Sequence, residues 1–104
     1  MAIPFINLFE VPTGDDTQFM ALWQRVNTYM AAKPGYRSHR LHRALSDSAH
    51  YRYINYAEWD SVEQWQGAHD AGFRALVGDP EWTKFPSTPT LCEVIDEGQG
   101  LSST

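Results

Sequence analysis

Residues 51–65, YRYINYAEWDSVEQW, decide how the rest of the chain reads. Side chains in a strand alternate between faces, which puts Tyr51, Tyr53, Asn55, Ala57 and Trp59 on one face and Arg52, Ile54, Tyr56 and Glu58 on the other. The alternation stops at Asp60 and Ser61, and an N-cap residue followed by Glu63 predicts a capping box that opens a helix. Asn55 and Trp59 therefore share a face and lead straight into a helix carrying Trp65 and His69. An amide, two indoles and an imidazole at one strand-to-helix corner fit a ligand pocket, and fit equally a hydrogen-bonded aromatic core.

Upstream, residues 3–11 read as a strand apolar on both faces, with Phe5, Asn7, Phe9 and Val11 on one and Ile6, Leu8 and Glu10 on the other. Such a strand should be covered on both sides, and Asn7, polar between two Phe, needs partners or a ligand. Asp15 with Gln18 predicts a capping-box start to a helix over about 16–32, whose core stripe is Phe19, Leu22, Trp23, Val26 and Met30. Lys33, Pro34 and Gly35 end it. Residues 36–45 form a second strand: Leu41 and Leu45 share a face with Arg37, His39 and Arg43, while Tyr36, Ser38, Arg40, His42 and Ala44 take the other. With neither face wholly apolar, this is an edge strand or one that contacts a second copy. His39 and His42 point to opposite sides and make poor joint metal ligands. A turn at 46–48 returns the chain antiparallel.

Downstream, the second helix spans about 61–69 with Val62, Trp65, Gln66 and His69 on one side. Ala71 and Gly72 break or kink it, a short helical turn follows through Phe73, Leu76 and Val77, and a loop from Gly78 to Pro86 carries Trp82 and Phe85. Apolar rings in a loop must bury in the core or over a cleft. The last strand is expected over Leu91–Asp96, again apolar on both faces. The order βαββαβ is the α+β ferredoxin-like pattern, an antiparallel sheet with helices on one face. Strands apolar on both sides leave the other face needing cover, and a second copy of the chain is the economical solution, so a homodimer is expected.

At 104 residues with 42% hydrophobic content the chain makes one domain, expected over 1–98, with a flexible tail at 99–104. A net charge of −5 argues against nucleic acid or an anionic membrane as partner. The opening MAIPFINLFEV is too interrupted by Pro4, Asn7 and Glu10 for a signal peptide or membrane span, and the expected location is cytoplasmic. The single cysteine, Cys92, reads as a small buried apolar residue. Aromatic residues are 13% of the chain, a surplus that favours a pocket or an interface.

INLFEV near the start, KPGYRSHRLHRAL, INYAEWDS, HDAGFRAL and the closing TPTLCEV, in that order, resemble the antibiotic biosynthesis monooxygenase domains over about residues 5–96. The resemblance implies dimers of ferredoxin-like subunits whose sheets close into a shared α+β barrel. It also implies an oxidoreductase function, since the family includes cofactor-independent quinone-forming oxygenases and haem-degrading enzymes. INYAEWDS is similar to the segment that supplies a pocket Asn and Trp in the anthrone-oxidising members, which assigns Asn55 and Trp59. Where those enzymes place a pocket Tyr, this chain has Trp65, and a phenol hydroxyl is lost. Against the haem-degrading members Asn7 matches a pocket asparagine, but the haem-ligating His falls on Val77 and the distorting Trp on Gly67, with Trp65 and His69 nearby out of register.

Cofactor-free oxygenation needs an electron-rich aromatic whose deprotonated form can pass an electron to oxygen in a cavity that excludes water. Asn55, Trp59 and His69 are the candidate catalytic residues: the first two as donors to the substrate oxygen, and His69 as base, imidazole titrating nearest neutral pH. Asn7, Trp65, Phe73 and Trp82 are the candidate substrate-binding residues. For His69 the competing reading is a surface histidine at a helix end. No flavin, nicotinamide or phosphate-loop motif is present, and no metal site is expected. The leading reading is a monooxygenase that takes a small aromatic, quinol- or polyketide-like substrate and oxygen and needs no cofactor. The alternatives are a haem binder or degrader with His69 as ligand, and a non-catalytic binding or accessory domain.

Overall fold

The alternation across residues 53–59 is carried through the strand without a break: Tyr53, Asn55, Ala57 and Trp59 are buried, and the residues between them are half-buried. Around it the chain, a computed structural model describing residues 2–101, runs in the expected order. Strand β1 (Ile3–Phe9), helix α1 (Asp16–Ala31), strands β2 (Tyr36–Arg43) and β3 (Tyr53–Trp59), helices α2 (Val62–Ala68) and α3 (Ala71–Val77), a 3-10 helix (Pro80–Lys84) and strand β4 (Ser87–Leu91) follow one another. Every pairing is antiparallel and the strand order is β2-β3-β1-β4, the α+β ferredoxin-like arrangement. As expected, β2 lies at an edge.

The helices cover one sheet face and leave the core in two parts. Phe19, Leu22 and Trp23 of α1 pack with Phe9, Val11, Tyr53 and Phe85, while Met30 packs with Trp59 and Ala68. The helical stripe read from the sequence is thus buried, except that Val26 is only partly so. On the other sheet face Ile6 and Leu8 stand beside Tyr56 and Ile54, their register partners, and all four are half-buried.

Several local expectations are corrected. Asp15 occupies the N-cap position of α1 but makes no side-chain cap bond. The capping box of α2 sits one residue later than expected: Ser61 accepts from the Gln64 N–H at 3.1 Å and donates to Gln64 Oε1 at 3.1 Å. Ala71 and Gly72 do not break a helix but form the first turn of α3, because Asp70 caps it through the Phe73 N–H at 3.0 Å. Trp82 lies in the 3-10 helix, where a loop was expected, with Pro80 at its start and Asp79 capping Glu81.

The largest correction is the last strand. The expected strand was Leu91–Asp96; the paired one is Ser87–Leu91, with Pro89 opposite Asn7, and the Cys92 N–H reaches Pro4 O at 2.8 Å. β4 is an edge strand, where a proline without a donor is tolerated, and its threonines are strand formers despite their polarity. Residues 92–100 carry no regular secondary structure, and Val94 and Ile95 are exposed. The apolar signal at 91–96 therefore did not mark a sheet strand. Residues 102–104 of the expected tail, and Met1 of the expected domain, lie outside the described residues. Among the described residues no helix is long and apolar enough to cross a membrane.

Candidate active site

β1 and β3 pair so that Asn7 stands directly opposite Asn55, with Leu8↔Ile54 and Ile6↔Tyr56 on either side facing away. The two amides lie on the helix side of the sheet, and the Oδ1 of each is buried with no hydrogen-bond partner among the described residues. An unmet buried acceptor costs roughly 1–3 kcal/mol, so two side by side are not explained by folding. They line a cavity of about 500 Å³ between the sheet and the helices, whose lining draws on both parts of the core, Phe9, Trp23 and Phe85 from one and Met30 and Trp59 from the other.

All seven residues singled out from the sequence, Asn7, Asn55, Trp59, Trp65, His69, Phe73 and Trp82, line this one cavity. Trp59 is buried at the end of β3. Trp65 of α2 packs on Phe5 with ring centroids 5.7 Å apart, and His69 lies 4.3 Å from Trp65 and 4.5 Å edge-on from Phe73. Trp82 packs on Phe9 at 6.2 Å. Among the described residues the lining holds no Lys, Arg, Asp or Glu, so the cavity suits a largely neutral aromatic ligand.

His69 ends α2, and its Nδ1 sits 2.6 Å from the Trp65 carbonyl oxygen. A carbonyl only accepts, so Nδ1 carries a proton, and in the neutral ring Nε2 is then the atom able to take a proton or bind a metal. The corner that holds His69 is tied to α1 by the next residue. Asp70 accepts from Tyr29 Oη at 2.6 Å, from Lys33 Nζ and from the Phe73 N–H. Those three donors, Lys33 foremost, hold its carboxyl well below the usual carboxylate range. Gly72 permits the approach, since a Cβ there would meet Tyr29 Oη at 2.3 Å.

Among the lining residues that the sequence reading did not assign to the site are Tyr36 and Asn27. Strict alternation put Tyr36 on the face of Ser38, Arg40 and His42, but the pairing shifts between Tyr36 and Ser38, and Tyr36 faces Trp59 while Ser38 faces Glu58. This bulge at Arg37 turns Tyr36 to the cavity side. Its hydroxyl donates to Asn27 Oδ1 at 2.6 Å, its ring meets Trp59 edge-on at 5.1 Å, and burial pushes its pKa up to about 12. The run KPG marked a turn before it, but no residue type announced the extra one in the strand.

Residues 3–78 match the family model described as antibiotic biosynthesis monooxygenase. The chain belongs to that family. Membership supports a monooxygenase-like function and accounts for the expected fold. Among solved structures the chain resembles a candidate monooxygenase of Shewanella loihica PV-4, with 29% identity, TM-score 0.81, and coverage of 92% of this chain and 96% of that one. SnoaB, a cofactor-independent oxygenase from Streptomyces nogalater, shares 24% identity with TM-score 0.76 over 96% of each chain. MhuD, solved with manganese protoporphyrin IX, shares 21% with TM-score 0.71 over 94% of this chain and 99% of that one. The latter two likenesses are of fold alone. No curated protein sequence matches the chain significantly.

Proposed function

We propose that this antibiotic biosynthesis monooxygenase domain oxidises an electron-rich aromatic, of quinol or polyketide-like type, with molecular oxygen and no cofactor. The observation that carries the reading is the pair of amides, Asn7 and Asn55, whose buried oxygens have no partner among the described residues and which line a cavity walled by aromatic rings. Their free oxygens can accept from substrate hydroxyls, and rotation of an amide about its χ2 presents NH2 to an oxyanion instead. In this reading Asn55 and the Trp59 indole N–H stabilise the phenolate that forms when His69 Nε2 takes a proton. Trp65, Phe73 and Trp82 hold the ring system and keep water out. For a ring CH2 flanked by aromatic rings the reaction balances without a reductant: one oxygen atom becomes the new carbonyl and the other leaves as water with the two hydrogens.

Haem suits these residues less well. Among the described residues the lining holds no Lys or Arg to meet propionates, and Val77, where the resemblance puts the iron ligand, adds only an apolar wall. His69 could turn a free Nε2 to iron, which keeps a Soret titration worthwhile; a strong band abolished by His69→Ala would favour haem. For the leading reading the test is oxygen uptake by the purified chain with hydroquinones and an anthrone, without added cofactor. One oxygen consumed per substrate is expected. Tight binding without uptake would make the chain an accessory binding domain.

The proposal includes a homodimer. Half of its sequence premise is gone, since β4 is polar and exposed, but Ile6, Leu8, Ile54 and Tyr56 form an apolar stripe on the uncovered sheet face. A second copy laid on that stripe closes the two sheets into a barrel. Light scattering should give twice the mass of one chain at micromolar concentration, and a monomer there would end the proposal.

A further inference from the structure

Tyr36 is the one phenol among the described residues that line the cavity, and nothing in its strand pattern would have put it there. The bulge between Tyr36 and Ser38 costs β2 a ladder position and turns this ring onto Trp59, opposite which it stands in the pairing. Packing alone would be served by Phe. The hydroxyl adds one bond, to Asn27 Oδ1 at 2.6 Å, and Asn27 also lines the cavity. After donating its proton the phenol oxygen still has lone-pair capacity.

We propose that Tyr36 is a further substrate-contacting residue, its hydroxyl hydrogen-bonding an oxygen of the aromatic ligand at the β2 edge of the cavity. The inference rests on the reading that the cavity takes a hydroxylated aromatic. Tyr36 and His69 then have different tasks. Burial keeps the Tyr36 phenol protonated throughout the range in which proteins ordinarily work, so it donates or bridges and does not act as the base. His69, its Nδ1 donating to the Trp65 carbonyl, presents Nε2 as the acceptor of the neutral ring. Asn27, half-buried on α1, accepts the Tyr36 hydrogen bond in the free protein and gives way when a ligand oxygen competes for it.

The test is anaerobic binding of a dihydroxynaphthalene and of naphthalene, read by tryptophan fluorescence quenching, in wild type and Tyr36→Phe. Loss of one net hydrogen bond weakens the diol by about fivefold to tenfold and leaves naphthalene within about twofold. Equal effects on both ligands, or none on the diol, would overturn the proposal while leaving the oxygenase reading standing. A wild type that binds neither would overturn both. Should Tyr36→Phe fail to fold, Asn27→Ala replaces it: freeing the hydroxyl from its competing acceptor raises the preference for the diol over naphthalene. An unmoved ratio overturns the proposal.

Discussion

Asn7 and Asn55 face each other across β1 and β3, and the side-chain oxygen of each is buried without a partner among the described residues. Directly opposed residues on antiparallel strands have Cβ atoms about 4.5–5.5 Å apart, so the two amides make one polar patch in an otherwise aromatic cavity. Hydrogen bonds to a ligand would offset what their burial costs the free chain.

If the patch serves a ligand, removing an amide should not harm the fold. Asn55→Leu strands no protein partner, and its urea-unfolding free energy should stay level or rise by about 1 kcal/mol. Asn55→Ala should lower turnover of a hydroxylated aromatic by about a hundredfold. A large loss of stability with unchanged turnover would instead mark Asn55 as a core residue.

Trp59 asks for a gentler substitution, because it is buried and its ring packs edge-on against Tyr36. Trp59→Ala would cost about 3–5 kcal/mol of packing and confuse the readout. Trp59→Phe keeps most of the ring and deletes the N–H. Turnover is expected to fall by about a hundredfold, with a much smaller change in unfolding free energy; equal turnover in the two proteins would remove the indole N–H from the mechanism.

For His69 the informative measurement is a substitution. The bond from Nδ1 to the Trp65 carbonyl leaves Nε2 as the acceptor of the neutral ring, the atom proposed as the base. His69→Phe keeps a ring against Trp65 and Phe73 and removes the acceptor, so turnover should fall by about a hundredfold, with a smaller change in unfolding free energy. Unchanged turnover in the variant would assign the base elsewhere.

Tyr36 also has a signature in stability. Its folded pKa is raised to about 12 from the ordinary 10.0, chiefly by burial. A group raised in the folded state contributes stability that is complete below its unfolded pKa and is lost as pH climbs through the folded one. Urea unfolding across that alkaline window should show wild type losing more stability than Tyr36→Phe. Parallel losses would mean that the phenol ionises as freely folded as unfolded.

Much of the fold was legible in the chain because period-two and helical patterns are local. Tyr53, Asn55, Ala57 and Trp59 alternate as read, the α1 stripe packs as read, and Asn55, Trp59 and His69 sit near one strand-to-helix corner that sequence adjacency already implied. Asn7 and Trp82 lie far from that corner along the chain; resemblance pointed to Asn7, but only strand register and the fold of the 3-10 helix bring both to one cavity. Tyr36 was misassigned because a bulge is an extra residue in one strand relative to its partner, and no single strand carries that information. The last strand was misplaced because Ser87–Leu91 is chosen by pairing with β1, which accepts Thr and Pro at an exposed edge, while Val94 and Ile95 are apolar without a strand to join. The sequence by itself determined most of the elements and most of the faces they bury, since those depend on neighbours a few residues apart; the tertiary structure decided where the last strand pairs, which face Tyr36 takes and which polar groups remain unpartnered in the cavity, since those depend on what every other element brings to the same point.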